Sequence, residues 1–150
     1  MEVHIFNQQQ DLEIPNQVVT DIVKEVLRKE GKRCDEVAVH FVNTSTICEL
    51  HSKYFDDPSV TDCISFPIDE TDTEEYRVLG EVFVCPKTAI DYASSHQSTP
   101  YRETTLYIVH GLLHLLGYDD TGKTEPQMRA AEKLHMKNLE EHNLILDSKT

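Results

Sequence analysis

The stretch His110-Gly111-Leu112-Leu113-His114-Leu115-Leu116-Gly117-Tyr118-Asp119-Asp120 sets two histidines in an apolar run and stops it with a glycine and two carboxylates. Each residue turns an α-helix by about 100°, so side chains four apart project within about 40° of one another. His110 and His114 therefore point at one place. The leucines around them, with Ile108 and Val109 upstream, make the helix apolar on nearly every side and send it through the core. Neutral imidazoles are zinc ligands at about 2.0–2.1 Å, and a catalytic zinc keeps three protein ligands and one open position. Gly117 lets the helix end in a left-handed residue, which turns Tyr118-Asp119-Asp120 back towards the histidines. Asp120 is the expected third ligand, and Asp119 either orients His110 or His114 or caps the turn.

The frame His-x-x-x-His-x-x-Gly-x-x-ligand is the spacing of metzincin-type zinc peptidases, which place a glutamate base after the first histidine. Here that position is Gly111. A simpler reading of the stretch is two core histidines bonded to backbone and an ordinary glycine cap. The glycine offset and the oxygen ligand three residues later favour a metal.

A chain of 150 residues suffices for one domain with a real core. No apolar run approaches the ~18 residues of a membrane span, and the start at Met1-Glu2-Val3-His4 has no basic and apolar leader, so a cytoplasmic protein is expected. Cys34, Cys48, Cys63 and Cys85 form no Cys-x-x-Cys and are expected to be reduced, mostly buried thiols. A net charge of −13 argues against broad, nonspecific nucleic-acid binding, though not against a local basic patch.

In chain order, Glu2 to Phe6 alternates as a strand does, followed by a polar break at Asn7 to Asp11. Pro15 opens an amphipathic helix through Val18, Val19, Ile22, Val23, Val26 and Leu27 to Gly31. Its end carries Lys24, Arg28, Lys29, Lys32 and Arg33, read as a solvated face. Val37–Val42 is a strand, and Asn43 or Ser45 caps a helix from Thr46 to Tyr54 that stops before Pro58. Thr61–Pro67 is a strand, Asp69 to Glu75 is acidic and exposed, and Leu79–Cys85 is a fourth strand in which Gly80 gives a close approach or a bulge. Pro86 starts a helix to about His96, and Pro100 separates it from the motif helix. A last helix from about Pro126 presents Met128, Ala131, Leu134 and Leu139; Ile145 packs back, and residues 146–150 fray. The order predicts a single α+β domain over residues 1–150.

His110 to Asp119 resembles the HGxLHLxGYDH motif of the YbeY family, bacterial endoribonucleases and rRNA maturation factors. Upstream, Thr61–Pro67 is similar to that family's TDVLSFP, and Leu79-Gly80-Glu81-Val82 to its LGDI strand. The resemblance implies a mixed four-stranded sheet packed with about five helices, and a zinc-dependent, single-strand-directed endoribonuclease acting in 16S rRNA 3′-end maturation and ribosome quality control. It also implies ribosomal RNA, the small ribosomal subunit and ribosomal proteins as partners. The family's three histidine ligands fall on His110, His114 and Asp120, so a carboxylate replaces the third imidazole. The family's arginine after its tyrosine falls on Phe55, which cannot bind phosphate. Arg102, Lys53 and Arg77 are candidate substitutes, and Ser65 and Asp62 candidate cleft residues.

The expected chemistry is phosphodiester hydrolysis assisted by zinc or another divalent metal held by His110, His114 and Asp120. The rivals are a metzincin-like metallopeptidase, opposed by Gly111, and a non-catalytic, zinc-binding ribosome assembly factor, favoured by Phe55 and the acidic surface.

Overall fold

Alternating apolar residues build a sheet, and three-and-four spacing builds the helices that cover it. The computed structural model describes residues 1–57, 59, 61–68, 76–119 and 122–147. In chain order these form β1 (Glu2–Gln8), α1 (Asn16–Glu30), β2 (Glu36–Val42), α2 (Thr44–Phe55), β3 (Cys63–Pro67), β4 (Val78–Val84), α3 (Pro86–Ser95), α4 (Pro100–Leu115) and α5 (Glu125–Glu141). The strands order as β1-β2-β4-β3. β1, β2 and β4 run parallel, while β3 pairs antiparallel to β4. This is the α+β, mixed four-stranded arrangement with five helices that the sequence predicts.

One sheet face, with Val37, Val39, Phe41, Val82 and Val84, packs with α1 and α4 into the main core. Val42, Ile47, Ile64 and Cys85 form a smaller cluster beneath α2, drawing on the opposite pleat. On that second face Phe6, His40 and Phe83 stack across three strands, with ring centroids 4.7 and 4.2 Å apart.

β4 carries an extra residue: Glu36 pairs with Val78, but Ala38 pairs with Glu81. The resulting bulge lets both Leu79 and Val82 face the core although they are three apart. Gly80 sits at the bulge with φ +148°, and a Cβ there would lie 2.4 Å from the Phe66 carbonyl oxygen. Both parts of the expectation for Gly80 are met.

Several boundaries differ from the pattern. β1 continues through Asn7 and Gln8, because the parallel ladder to Phe41 and Val42 overrides their polarity. Asn43 is the cap of α2, accepting from the Thr46 N–H at 2.9 Å. Thr61 and Asp62 precede β3, and Cys85 follows β4. Pro100 is not a spacer but the first residue of α4, where its missing N–H costs nothing. Leu134 is 52% exposed, since α5 turns a different stripe inward. Leu146, expected to fray, is 1% exposed and donates its N–H to Thr105 Oγ1 at 3.1 Å. The acidic run 69–75, Pro58, Asp120 and residues 148–150 lie outside the described residues.

Cys34 and Cys85 are buried, Cys48 and Cys63 half-buried, and none of the four is in a disulfide. No helix among the described residues is long and apolar enough to cross a membrane.

Candidate metal centre

Helix α4 is set by its ends and by one glycine. Thr99 caps it by accepting from the Arg102 N–H at 3.1 Å. Gly111 lies directly on the sheet: a Cβ there would stand 2.4 Å from Val82 Cγ1. Ser65 on β3 donates to the Gly111 carbonyl at 2.9 Å and ties the helix to the strand. Gly111 is therefore a packing requirement, and the close approach leaves no room for a glutamate. Past Leu116, Gly117 adopts φ +102°, the left-handed turn the sequence requires.

The close approach aims the two histidines at the same spot. Their Nε2 atoms are 3.0 Å apart, and the rings stand nearly perpendicular at 83°. Two nitrogens bound about 2.05 Å from one tetrahedral ion stand about 3.3 Å apart, so the pair needs little movement to share one. His110 Nδ1 meets Glu132 Oε2 of α5 at 2.5 Å. A carboxylate accepts, so that contact favours a proton on Nδ1 and an Nε2 lone pair towards His114. Arg129 Nη1 donates to both Glu132 oxygens, at 2.7 and 2.9 Å. Burial pushes the Glu132 carboxyl up, but the hydrogen bonds from His110 and Arg129 outweigh it and hold it below its ordinary range. This donor set fits a divalent metal: two imidazoles, one already oriented by a carboxylate behind it.

The histidines open onto a cleft of about 420 Å³ between α4, β3 and α2, lined also by His51, Phe55, Thr61, Asp62 and Ser65. Of the sequence-derived candidates, His110, His114, Ser65 and Asp62 are thus brought together. Asp62 Oδ1 also accepts from the Cys63 N–H at 2.7 Å, a turn contact at the start of β3. Phe55, at the position where the family resemblance implies an arginine, is 55% exposed. Lys53 is exposed on α2 with its Nζ 5.3 Å from the Tyr54 ring centroid. Arg77 is next to Asp35 before β4, and Arg102 pairs with Glu140, about 12 Å along the axis of α4 from His110. None of these three cations lines the cleft. Asp119 is exposed after the turn, and Asp120 lies outside the described residues.

The turn after α4 is anchored from behind. Tyr118 donates to Glu30 Oε1 at 2.9 Å, and fully buried His135 meets Glu30 Oε2 at 2.7 Å. Burial, then the bond to Glu30, pushes the Tyr118 phenol up. A separate group, Glu2, His4 and Glu36, brings three ligand atoms within 4.8 Å of one another near the start of β1 and β2. Tyr76 and His4 hydrogen-bond to Glu36 there and hold its carboxyl low.

A family model described as Endoribonuclease YbeY matches residues 4–140. The chain belongs to the YbeY family. It is 51% identical over 145 residues to an Endoribonuclease YbeY of Protochlamydia amoebophila, covering 96% of this chain and 97% of that one. It is 36% identical over 148 residues to the Endoribonuclease YbeY of Chlamydia trachomatis serovar L2, covering 97% and 92%. A Thermotoga maritima protein solved in solution shares the fold, with a TM-score of 0.65, 22% identity and 99% of both chains covered.

In this YbeY-family chain, three residues at the site are not singled out by the sequence alone. His51 lies one turn before Phe55 on α2, and that i, i+4 pair was the available signal. Glu132 and Arg129 had no local signal, because a charged residue in an amphipathic helix reads as solvent-facing until its partner on another helix is known.

Proposed function

We propose that this protein is a metal-dependent endoribonuclease directed at single strands, acting in the cytoplasm on 16S rRNA 3′ ends in ribosome maturation and quality control, with the small subunit and its proteins as partners. The observation that carries the reading is the His110–His114 pair, Nε2 to Nε2 at 3.0 Å, opening onto a cleft beside β3. Zinc, or another divalent metal, would be held by His110, His114 and Asp120. When bound it supplies Lewis-acid polarisation of a phosphoryl oxygen and acidifies a water. The chain's own residues do the rest. Glu132 orients His110, Ser65 fixes the helix that carries both histidines, and Asp62 offers an acceptor on the cleft wall.

The open cleft admits a splayed single strand, and Phe55 and His51 offer ring faces on which an unstacked base can lie. With phenylalanine at position 55, phosphate neutralisation falls to the metal and to cations outside the cleft. Arg102, Lys53 and Arg77 remain candidates at longer range, and Asp119 a candidate for proton transfer at the turn. A peptidase reading is opposed by the packing of Gly111 against Val82, which leaves no place for a general base on this helix.

The test is incubation of zinc-loaded protein with single-stranded rRNA, comparing wild type with His114→Ala and metal content measured alongside. Cleavage by the wild type alone is expected. Equal cleavage by both overturns the proposal. Zinc at one per chain without cleavage, together with co-sedimentation with small subunits, establishes instead the assembly-factor reading that exposed Phe55 favours.

A further inference from the structure

A carboxylate buried to 7% exposure is costly unless its oxygens are engaged, and Glu132 meets that demand in a directed way. Arg129, one turn earlier on α5, occupies both oxygens from the outer side. The inner side meets His110 Nδ1, on a different helix and 22 residues away in sequence. The three groups make a chain from half-exposed Arg129 through Glu132 to His110, whose side chain is 12% exposed. A small cavity of about 130 Å³, lined by Asp62, Tyr107, His110, Arg129 and Glu132, runs beside it.

We infer that Glu132, steadied by Arg129, is the positioning residue of the candidate metal centre: it fixes His110 in the Nδ1–H tautomer and turns its Nε2 lone pair towards His114. This rests on the metal-site reading above and extends it to residues of α5. A neutral imidazole bears one proton, and a carboxylate acceptor at Nδ1 keeps that proton away from the nitrogen facing the cleft. The negative charge behind the ring strengthens Nε2 as an electron-pair donor to a metal, and Arg129 limits that charge by sharing it. Helix α5 is therefore part of the site and not only a cover for α4.

The experiment uses full-length protein with ¹⁵N-labelled histidine, in the metal-free form for the tautomer and titrated with Zn²⁺ against a chromophoric chelator for affinity. Wild type is expected to show His110 protonated at Nδ1. In Glu132→Leu the Nδ1–H preference is lost and zinc affinity falls about 10- to 100-fold. Glu132→Gln keeps an acceptor without the charge, so the tautomer is retained and affinity falls less. A folded Glu132→Leu with unchanged tautomer and unchanged zinc affinity overturns the inference. Should Glu132→Leu fail to fold, Glu132→Gln decides, and an affinity equal to wild type overturns it. A wild type that binds no zinc defeats the metal reading, while the tautomer comparison in the metal-free protein still decides the role of Glu132.

Discussion

Helices α4 and α5 flank the candidate centre and bury opposite chemistries. On α4 the inward side chains include Ile108, Val109, Leu112 and Leu113, and the two histidines form a polar island at its cleft side. On α5 the buried stripe includes Glu132, His135 and Asn138, each reaching another helix: Glu132 to His110, His135 to Glu30, and Asn138 to Glu25 at 2.6 Å. The apolar helix is held chiefly by the non-directional packing of its leucines, with single directional ties from Ser65 and Leu146. The polar seam holds α5 only in the register where every donor meets its acceptor. Packing places the histidines near each other, and the seam sets how they point.

The largest effect tests the packing half of that contrast. Leu112→Ala, at a site with no exposure, is expected to cost about 2 to 5 kcal/mol in urea unfolding. A cost below about 1 kcal/mol would show that α4 is not held by its leucines. His135→Leu strips Glu30 of its buried partner and is expected to cost about 1.5 to 3 kcal/mol. Pairing it with Glu30→Met should recover part of that loss, because the remaining charge is also gone although Tyr118 loses its acceptor; no recovery would mean that the seam sets more than charge balance. Tyr118→Phe removes one hydrogen bond to Glu30 and is expected to cost about 1 kcal/mol, with a loosened turn read as faster amide exchange at Gly117 and Tyr118.

The smallest effect is a pH dependence at the outer end of the seam. The Arg28 guanidinium, against burial and helped by Asn138, holds the Glu25 carboxyl at about 2, below its ordinary 4.5. The folded-state value is the lower one, so this contribution is present above pH 4.5 and is lost as pH falls from 4.5 towards 2. Glu25→Gln is expected to flatten that limb by under about 1 kcal/mol, since Arg28 is largely exposed and its pairing is screened. Urea midpoints at pH 5 and pH 3 measure it, and parallel acid limbs in both proteins would remove Glu25 from the account.

The same contrast explains what was legible in the sequence. The strands, the five helices and the glycine stop at Gly117 follow from periodicity and caps, which are local. So does the His110–His114 pair, which lies on one helix. Glu132 and His135 were not visible because their burial depends on partners 22 and 105 residues away. Leu134 was assigned inward by the same helical spacing, but the stripe was shifted by polar residues that the apolar pattern does not count. Gly111 was seen as a missing base, whereas the sheet beneath it explains why a side chain is excluded.

Leu146 ends the described core by bonding to Thr105 on the same helix that carries His110 and His114. A chain is synthesised from its N-terminus, so the sheet and both histidines leave the ribosome before Glu132 and well before Leu146. A nascent chain therefore carries the histidines before it carries the groups that orient and cover their helix. The centre is completed last, and a chain cut short within its final helix would keep the motif but lose the arrangement.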